Sequence, residues 1–469
     1  MRMYGAEILE GLENWQILPQ RNHQASVTIK GRYTKTKPGD YAKVYARIVR
    51  EDTGENVVFW KEAVLEKEKC HWEILLEGIP KGGLYRLETC LKEEEETPYE
   101  WAVRGDCVKH FGVGDLFVIA GQSNAAGYGK DTAYDPPMLG VHLFSNQEHW
   151  ELAAHPLNDS TKANCEVNME PANSGTSPYL SFAKILCQRL GYPIGLIQTA
   201  LGGSPLSRWN PEETGDLYEN MLRRIRLQGQ TVKGILWYQG CADTNHIQDA
   251  DRYLERFEKM VTDLRERTHN PQLSFFTFQL SRYLVPPISR EEDENWSKIR
   301  EAQRQAAHRI PGVYVLPAID GNLSDMIHNS GGFNLVLGDR LARQVLSKCY
   351  GVQKAFCDAP DLAGAELHGK DLTLTFAPVY DRLYASEIGA EELPFSVKEE
   401  SGEIPVIGYE MTGRQEITLH LKREPKGKIV VCAYPGQNPR CRCLIDFATH
   451  YPILGFSQKL EKNERGGTT

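Results

Sequence analysis

Two kinds of hydrophobic pattern follow one another along the chain, and the first occupies its N-terminal quarter. The segments YAKVYARIV (41–49) and LYRLETCL (84–91) alternate apolar and polar residues, as strands do when one face is buried. Turn-forming residues stand between such segments, at 37–40 and 81–83. This period-two pattern predicts short antiparallel strands and a small β-sandwich-like unit over residues 1–109.

The second pattern starts near residue 110 and consists of apolar runs separated by helical periodicity. The predicted strands are 116–120, 194–199, 235–238, 273–280 and 313–319. The predicted helices are 178–190, 216–227, 250–267, 296–308 and 333–347. Continuous apolar strands alternating with helices predict a parallel sheet covered by helices on both faces, that is, an α/β domain over 110–350. The stretch 131–176 is polar and poor in pattern, so we expect an excursion above the sheet.

Alternation returns in the last part of the chain. The segment LHGKDLTLTF (367–376) predicts a hairpin around its Gly-Lys pair, and EITLHL (416–421) alternates again. We therefore expect a second β-rich unit over 351–469, which would place the α/β domain between two smaller units.

Composition narrows the class of protein. The chain has 469 residues, 41% hydrophobic and 25% charged, with a net charge of -9, which argues against nucleic acid or an anionic membrane as partner. No apolar run is long enough for a transmembrane helix, and the N-terminus carries no secretory signal pattern, so we expect a cytoplasmic protein. The 11 cysteines form no regular framework and predict reduced thiols. The histidines show none of the paired spacings that are typical of metal sites, so we expect neither a metal nor a cofactor.

Polar residues of particular kinds follow the predicted strands. In the run FVIAGQSNAAG (117–127), Ser123 follows the end of an apolar strand. Gly202 and Gly203 follow the next strand, and Gln239 follows the third. The last strand is followed by DMIH, which ends in His328. Each feature alone has an ordinary structural explanation, such as a helix cap or a turn. Because the carboxyl ends of parallel strands meet at one edge of a sheet, the four loops together predict a site.

The residue types suit acyl transfer. A serine hydroxyl such as that of Ser123 needs a base to take its proton, and His328 can act as that base. Asp325, three residues earlier, could orient the imidazole. The tetrahedral intermediate needs hydrogen-bond donors, and the candidates are the N–H of Ser123, an N–H of Gly202 or Gly203, and the side chain of Gln239.

The combination of GQSN, GGS, WYQG and D-x-x-H in this order resembles the SGNH hydrolases, and within them the sialate O-acetylesterase and acetylxylan-esterase-like branch. The resemblance covers roughly 112–348. It implies a three-layer α/β/α, flavodoxin-like domain that acts without a cofactor. It also implies Ser123 as nucleophile, His328 as base and Asp325 as orienting acid, with Gln239 and a glycine of the GGS block in the oxyanion hole.

One position departs from the pattern of that branch. Its third block usually reads W-x-Q-G-E, whereas this chain has Cys241 in place of the glutamate. Asp325 would then act without that acid, or Asp243 would assist it. A second nucleophile at Cys241 is conceivable, but a buried neutral thiol is the favoured interpretation.

The residues expected to contact substrate lie beside these blocks. Gln122 and Asn124 flank the predicted nucleophile. Arg208 could bind the carboxylate of a sialic acid, or form an ordinary salt bridge. Trp209 could stack on a sugar ring, or lie in the core.

The predicted function is removal of acetyl groups from sugar hydroxyls through an acyl-enzyme, with an O-acetylated sugar as partner and no nucleic acid or membrane. The sugar stays open between sialate, acetylated xylan and acetylated manno-oligosaccharides. Two other classes remain: a carbohydrate-binding protein with a decayed hydrolase core, consistent with the missing glutamate, and a serine hydrolase for non-sugar esters.

Overall fold

The computed structural model describes residues 4–171, 175–352, 356–385, 389–439 and 442–460. The N-terminal strands come first in the chain. They are β1 (Gly5–Glu10), β2 (Ile17–Pro19), β3 (Gln24–Thr34), β4 (Lys43–Arg50), β5 (Asn56–Glu62), β6 (Val64–Glu66), β7 (His71–Pro80) and β8 (Gly82–Lys92). The predicted antiparallel pairing is confirmed for β4 with β8. In β3, buried residues alternate with more accessible ones along most of the strand, as expected for a strand with one core-facing side.

The middle of the chain alternates strands and helices. Its strands are β9 (Val103–Gly121), β10 (Val141–Phe144), β11 (Trp150–Leu152), β12 (Ile194–Gln198), β13 (Gly234–Tyr238), β14 (Ser274–Phe278) and β15 (Val313–Leu316). Its helices are α1 (Ser123–Ala126), α2 (Tyr179–Leu190), α3 (Asp216–Leu227), α4 (Ile247–Arg267), α5 (Arg290–Arg309) and α6 (Gly331–Tyr350). The mixed α/β fold with a parallel sheet is thereby confirmed, and each of the five predicted helices is present.

The parallel sheet has the strand order β11-β10-β12-β9-β13-β14-β15, in which only β11 runs antiparallel to its neighbour. The chain leaves β9 for β12 on one side and later returns to β13 on the other. Gly121, the last residue of β9, pairs with Tyr238, the last residue of β13. The loops after these two strands therefore leave the sheet side by side at the point where the winding direction reverses, which is where open α/β sheets form their sites.

The stretch 131–176 needs a correction, because it does not lie wholly above the sheet. It contributes β10, which pairs with β12, and β11, which forms the sheet edge. The buried run Val141–Phe144 is only four residues long and stands among polar residues. A run this short gives no period that would distinguish a strand from a loop.

The strand β9 continues through the boundary predicted at 109/110. Its first part pairs with β8 and its last part with β12 and β13, so one strand joins the N-terminal sheet to the parallel sheet. At Gly112 and Gly114, an added Cβ would lie 2.8 Å and 1.8 Å from atoms of Pro193. Glycine is required because the Pro193 ring at Gly112 and the Pro193 backbone oxygen at Gly114 come too close for a side chain.

The C-terminal strands are short and antiparallel. They are β16 (Asp361–His368), β17 (Asp371–Ala377), β18 (Leu383–Tyr384), β19 (Phe395–Glu399), β20 (Gly402–Glu403), β21 (Val406–Glu410), β22 (Glu416–Leu421), β23 (Ile429–Ala433), β24 (Ile445–Asp446) and β25 (Ser457–Leu460). The hairpin predicted around Gly369 is confirmed as β16 and β17. Arg300 of α5 donates to the backbone oxygens of Tyr434 and Gly436, which ties this part to the helical region.

Burial explains why the parallel sheet forms where it does. Phe117, Val118, Ile119 and Ala120 in β9 are fully buried, as an apolar strand must be when both of its faces are covered. The cysteines of the described ranges are free thiols. In the same ranges, no helix is both long enough and apolar enough to cross a membrane.

Candidate active site

Ser123 stands at the first position of α1, immediately beyond the end of β9. Gly121 makes this abrupt turn with a φ of +123°, and a Cβ on it would lie 2.3 Å from the backbone oxygen of Tyr238. Gly127 ends the single helical turn in the left-handed region, and its N–H bonds the backbone oxygen of Ser123. The serine is only 7% exposed. The strand-turn-helix geometry therefore holds it at the edge of the sheet, as the sequence predicts.

Asp325 and His328 form a hydrogen-bonded pair in the loop after β15. The Asp325 Oδ2 atom lies 2.6 Å from His328 Nδ1, and Oδ1 accepts from the backbone N–H groups of Ile327 and His328 at 2.9 Å and 2.8 Å. Burial raises the pKa of Asp325, but the hydrogen bonds from His328 and the two backbone groups outweigh it and hold the pKa below its usual value. The carboxylate is therefore ionised at neutral pH and positioned to fix the imidazole with Nε2 free.

Asn124 joins the serine turn to the histidine loop. Its Oδ1 accepts from the N–H of Asn329 at 3.0 Å, and its Nδ2 donates to the backbone oxygen of Ile327 at 3.4 Å. These two bonds hold the residues on either side of His328. Asn124 is predicted from the sequence as a substrate contact, but its 5% exposure and its two bonds place it between the loops.

Within the described ranges, no hydrogen bond joins Ser123 Oγ to His328. The imidazole instead packs against the ring of Tyr128, with ring centroids 5.1 Å apart. Catalytic hydrogen bonds are often long in unliganded sites and shorten when substrate binds. The structure thus brings the serine, histidine and aspartate to one edge of the sheet without showing a completed triad.

The predicted oxyanion donors differ in their availability. The Leu201 N–H bonds the Gly121 oxygen at 3.0 Å, which places the glycine pair beside the serine turn. The Gly202 N–H is directed at Glu170 Oε1, 3.4 Å away. Among contacts of the described residues, the backbone N–H groups of Ser123 and Gly203 have no hydrogen-bond acceptor. These two groups are therefore the donors that remain open.

Gln239 occupies a different position from the one its predicted role requires. Its side chain is fully buried, and Nε2 donates to the backbone oxygen of Ser204 at 3.1 Å and to the carboxylate of Asp243. Both amide hydrogens are thus engaged within the protein. This geometry favours a structural amide, the alternative to an oxyanion donor.

Asp243 is a buried acid of the third loop that contacts the second loop and helix α4. Besides Gln239, it accepts from the N–H of Leu206 at 3.0 Å and lies 3.4 Å from Arg256 Nη1. Burial raises the pKa of Asp243 to about 6, against the opposing effect of these donors. Asp243 thus supports the second loop, whereas Asp325 is the acid that is bonded to His328.

Cys241 follows Gln239 and Gly240 in the third loop. Burial raises the pKa of its thiol to about 12, so it is uncharged at neutral pH. A nucleophilic cysteine needs the thiolate, and the environment of Cys241 disfavours it.

Gln122, the other residue beside Ser123, uses its Oε1 to accept from the N–H groups of Gly240 and Ala242 at 3.1 Å and 3.3 Å. Its side chain therefore anchors this loop.

Arg208 and Trp209 adopt the structural alternatives that the sequence left open. Arg208 Nη2 lies 2.6 Å from Asp216 Oδ2, so its guanidinium is already paired with a carboxylate. The Trp209 ring is fully buried against Trp237, and its Nε1 donates to Ser204 Oγ at 3.0 Å. A ring without solvent exposure cannot stack on a sugar, so we place Trp209 in the core.

Glu170 and Tyr128 are site residues that the sequence did not indicate. A Cβ built on Gly202 would lie 2.5 Å from Glu170 Oε2 and 2.7 Å from the Tyr128 hydroxyl, so both side chains reach the same small space beside the glycine pair. Glu170 lies in the polar stretch without periodicity, where nothing in the local sequence predicts a contact 32 residues away.

Comparison with known proteins shows which family the chain matches. Residues 113–347 match the family described as carbohydrate esterase, sialic acid-specific acetylesterase. A probable carbohydrate esterase of Arabidopsis thaliana is 30% identical over 258 residues, which are 50% of this chain and 90% of that protein. The human sialate O-acetylesterase is 22% identical over 301 residues, 55% of each chain, so the match spans about half of that relative.

A solved structure extends the similarity beyond the matched region. A carbohydrate acetylesterase from Xanthomonas citri superimposes with a TM-score of 0.67 at 20% identity, covering 95% of this chain and 98% of that one. At this identity the likeness concerns the fold, and it includes the β-rich parts on both sides of residues 113–347.

Proposed function

This chain belongs to the carbohydrate esterase family of sialic acid-specific acetylesterases and is an ester hydrolase, and we propose that it removes acetyl groups from sugar hydroxyls through an acetyl-serine intermediate. One observation carries the proposal. The Asp325–His328 pair is attached, through both hydrogen bonds of Asn124, to the turn that presents Ser123. Nucleophile, base and orienting acid thereby belong to one connected unit.

In the first half of the proposed reaction, Ser123 Oγ attacks the acetyl carbonyl carbon while His328 Nε2 takes the hydroxyl proton. The ionised Asp325 holds Nδ1–H and stabilises the imidazolium that forms. The negative oxygen of the tetrahedral intermediate is received by the open N–H groups of Ser123 and Gly203, each contributing about 3 kcal/mol. The C–O bond to the sugar then breaks, and the sugar oxygen takes the proton from Nε2.

In the second half, water replaces the sugar. His328 Nε2 takes a proton from the water as its oxygen attacks the acetyl-serine carbonyl, and the same two N–H groups bind the new oxyanion. Collapse of this intermediate returns the proton to Ser123 Oγ and releases acetate. No charged group beyond the Asp325–His328 pair is needed for either half.

The finer architecture is also part of the proposal. Packing of α2 against α6 and of α4 against α5 supports a three-layer arrangement. We infer β-rich flanking units over 1–109 and 351–469 and a cytoplasmic protein.

The test is acetate release by wild type and Ser123→Ala from 4-nitrophenyl acetate and from O-acetylated sugars. Ser123→Ala should lower kcat about 10⁴-fold or more without lowering Tm. Ser145→Ala is a matched control, because Ser145 is a buried serine directly after β10 of the same sheet and its hydroxyl donates to the His149 oxygen. Near wild-type rates for Ser123→Ala would contradict the serine mechanism, and cleavage of 4-nitrophenyl acetate without any sugar ester would contradict the substrate class.

A further inference from the structure

The space beside the glycine pair carries two polar groups that the proposed reaction does not use. Glu170 bonds the Gly202 N–H through Oε1, and its Oε2 faces the same space as the Tyr128 hydroxyl. The Tyr128 residue is only 8% exposed, and its buried hydroxyl lies beside the Glu170 carboxylate without a hydrogen bond of good geometry to any residue of the described ranges. An unpartnered buried hydroxyl is costly unless a ligand or water completes it.

These groups lie at the proposed chemistry. The Tyr128 ring contacts the His328 imidazole edge-on at 5.1 Å, and Gly202 is adjacent to the open N–H of Gly203. A sugar whose acetyl group reaches Ser123 would therefore bring its neighbouring atoms to the Glu170–Tyr128 space. Burial and the nearby Glu170 carboxylate raise the pKa of Tyr128, so its phenol keeps its proton and can donate.

The charge of this space is unfavourable to acidic sugars. The ionised Asp325 carboxylate, bonded to His328, adds a second negative charge nearby, and the Arg208 guanidinium is occupied by Asp216. Lys130 is the nearby cation, with Nζ 5.0 Å from the Tyr128 ring centroid, but it lies over the ring face and not at the hydroxyl. A substrate carboxylate beside the Tyr128 hydroxyl would thus lie next to the Glu170 carboxylate and be repelled by it.

We propose that Tyr128 and Glu170 form the subsite that receives the sugar, with Tyr128 donating to and Glu170 accepting from its hydroxyls, and that Glu170 makes neutral acetylated sugars better substrates than carboxylated ones. This inference rests on the proposed function and specifies its substrate class. Repulsion between two carboxylates about 5 Å apart at a partly solvated site corresponds to about a tenfold higher kcat/KM for the neutral sugar ester than for the carboxylated one.

Glu170→Gln is the decisive variant, because the glutamine oxygen can still accept from the Gly202 N–H while the charge is removed. We would measure kcat/KM for three esters: 4-nitrophenyl acetate, an O-acetylated xylo-oligosaccharide and 9-O-acetylated N-acetylneuraminic acid. Glu170→Gln should raise the ratio of the sialate to the xylo-oligosaccharide value about tenfold, and because this ratio compares two esters in the same variant, a change in the catalytic groups cancels. Tyr128→Phe should lower both sugar values about tenfold relative to the 4-nitrophenyl acetate value of the same variant, since one hydrogen bond to the sugar is lost.

Lys130→Ala is the control that distinguishes the opposite arrangement. If this variant lowered the sialate value selectively while Glu170→Gln left the ratio within twofold, Lys130 would be binding a substrate carboxylate and the inference would be overturned. An unchanged ratio in Glu170→Gln with all three esters hydrolysed would overturn the inference alone. Hydrolysis of none of the esters by the wild type would overturn the proposed function, and the inference with it.

Discussion

Gln239→Ala distinguishes a structural amide from an oxyanion donor, and the structure sets the size of the expected effect. The substitution removes the Nε2 bonds to Ser204 O and to the Asp243 carboxylate, and both acceptors stay buried. One neutral bond and one bond to a charged acceptor together correspond to about 3 kcal/mol of unfolding free energy. That loss lowers Tm by about 3 °C if the whole chain unfolds together, and by about 6 °C if only the family-matched region does.

The effect of Gln239→Ala should also depend on pH. The pKa of Asp243 is about 6 in the folded protein, against an ordinary value of 3.8, so stability contributed by this group falls as pH rises from 3.8 to 6. Removing the Gln239 donor raises the folded pKa further, which extends that fall above pH 6. The Tm difference between wild type and variant should therefore grow between pH 5 and pH 8.

The assay is Tm by calorimetry at pH 5, 6, 7 and 8, with kcat and KM for 4-nitrophenyl acetate on the same samples. Gln198→Ala is the matched control, because Gln198 is a fully buried amide at the end of β12 whose partners are the Leu157 oxygen and the Ala200 N–H. Its Tm loss should not vary with pH in this range. An unchanged Tm for Gln239→Ala, with kcat lowered about 10²- to 10³-fold, would refute the interpretation of Gln239 as a structural amide and would support its role as an oxyanion donor.

Three further expectations concern the surrounding loops. Asp325→Asn should lower kcat by up to about 10⁴-fold with little change in Tm, because the amide favours the wrong tautomer of His328; a larger kcat loss in folded Asp243→Asn would reverse the roles of the two acids. Cys241→Ser should keep kcat within about twofold, and Cys241 should resist iodoacetamide at pH 7 by mass spectrometry, since its pKa is about 12. Asn124→Ala should lower kcat about tenfold or more while KM changes little; a wild-type kcat would show that the loop link is dispensable.

The sequence predicted those parts of the fold that depend on period and length. The helix predicted at 216–227 is α3 with the same bounds, because its apolar residues repeat at helical spacing over three turns. The strand β10 was missed because four residues hold no period, and only the last part of β9 was predicted, over 116–120. Gly112 and Gly114 within β9 lie against Pro193, which is 79 residues further along the chain than Gly114, and the local sequence does not indicate this contact.

The candidate site divides in the same way, between local and distant contacts. The Asp325–His328 bond spans three residues, so the spacing alone predicts it. The Gln239 side chain bonds Ser204, which is 35 residues away in sequence, and its direction depends on how two loops meet. The position of Gln239 directly after a predicted strand indicates the edge of the sheet, but the residue type could not tell whether the amide points to the substrate or to Asp243.

A common principle explains why several residues predicted to bind substrate instead bind protein. Each loop of the site is held by a side chain from a neighbouring loop: Gln122 bonds Gly240, Asn124 bonds Asn329, and Asp243 bonds Leu206. Backbone N–H groups can stabilise an oxyanion only if their positions are fixed before the charge develops. In the proposed mechanism, the polar residues around Ser123 would hold these backbone donors in place, and we expect their substitution to lower kcat more than it raises KM.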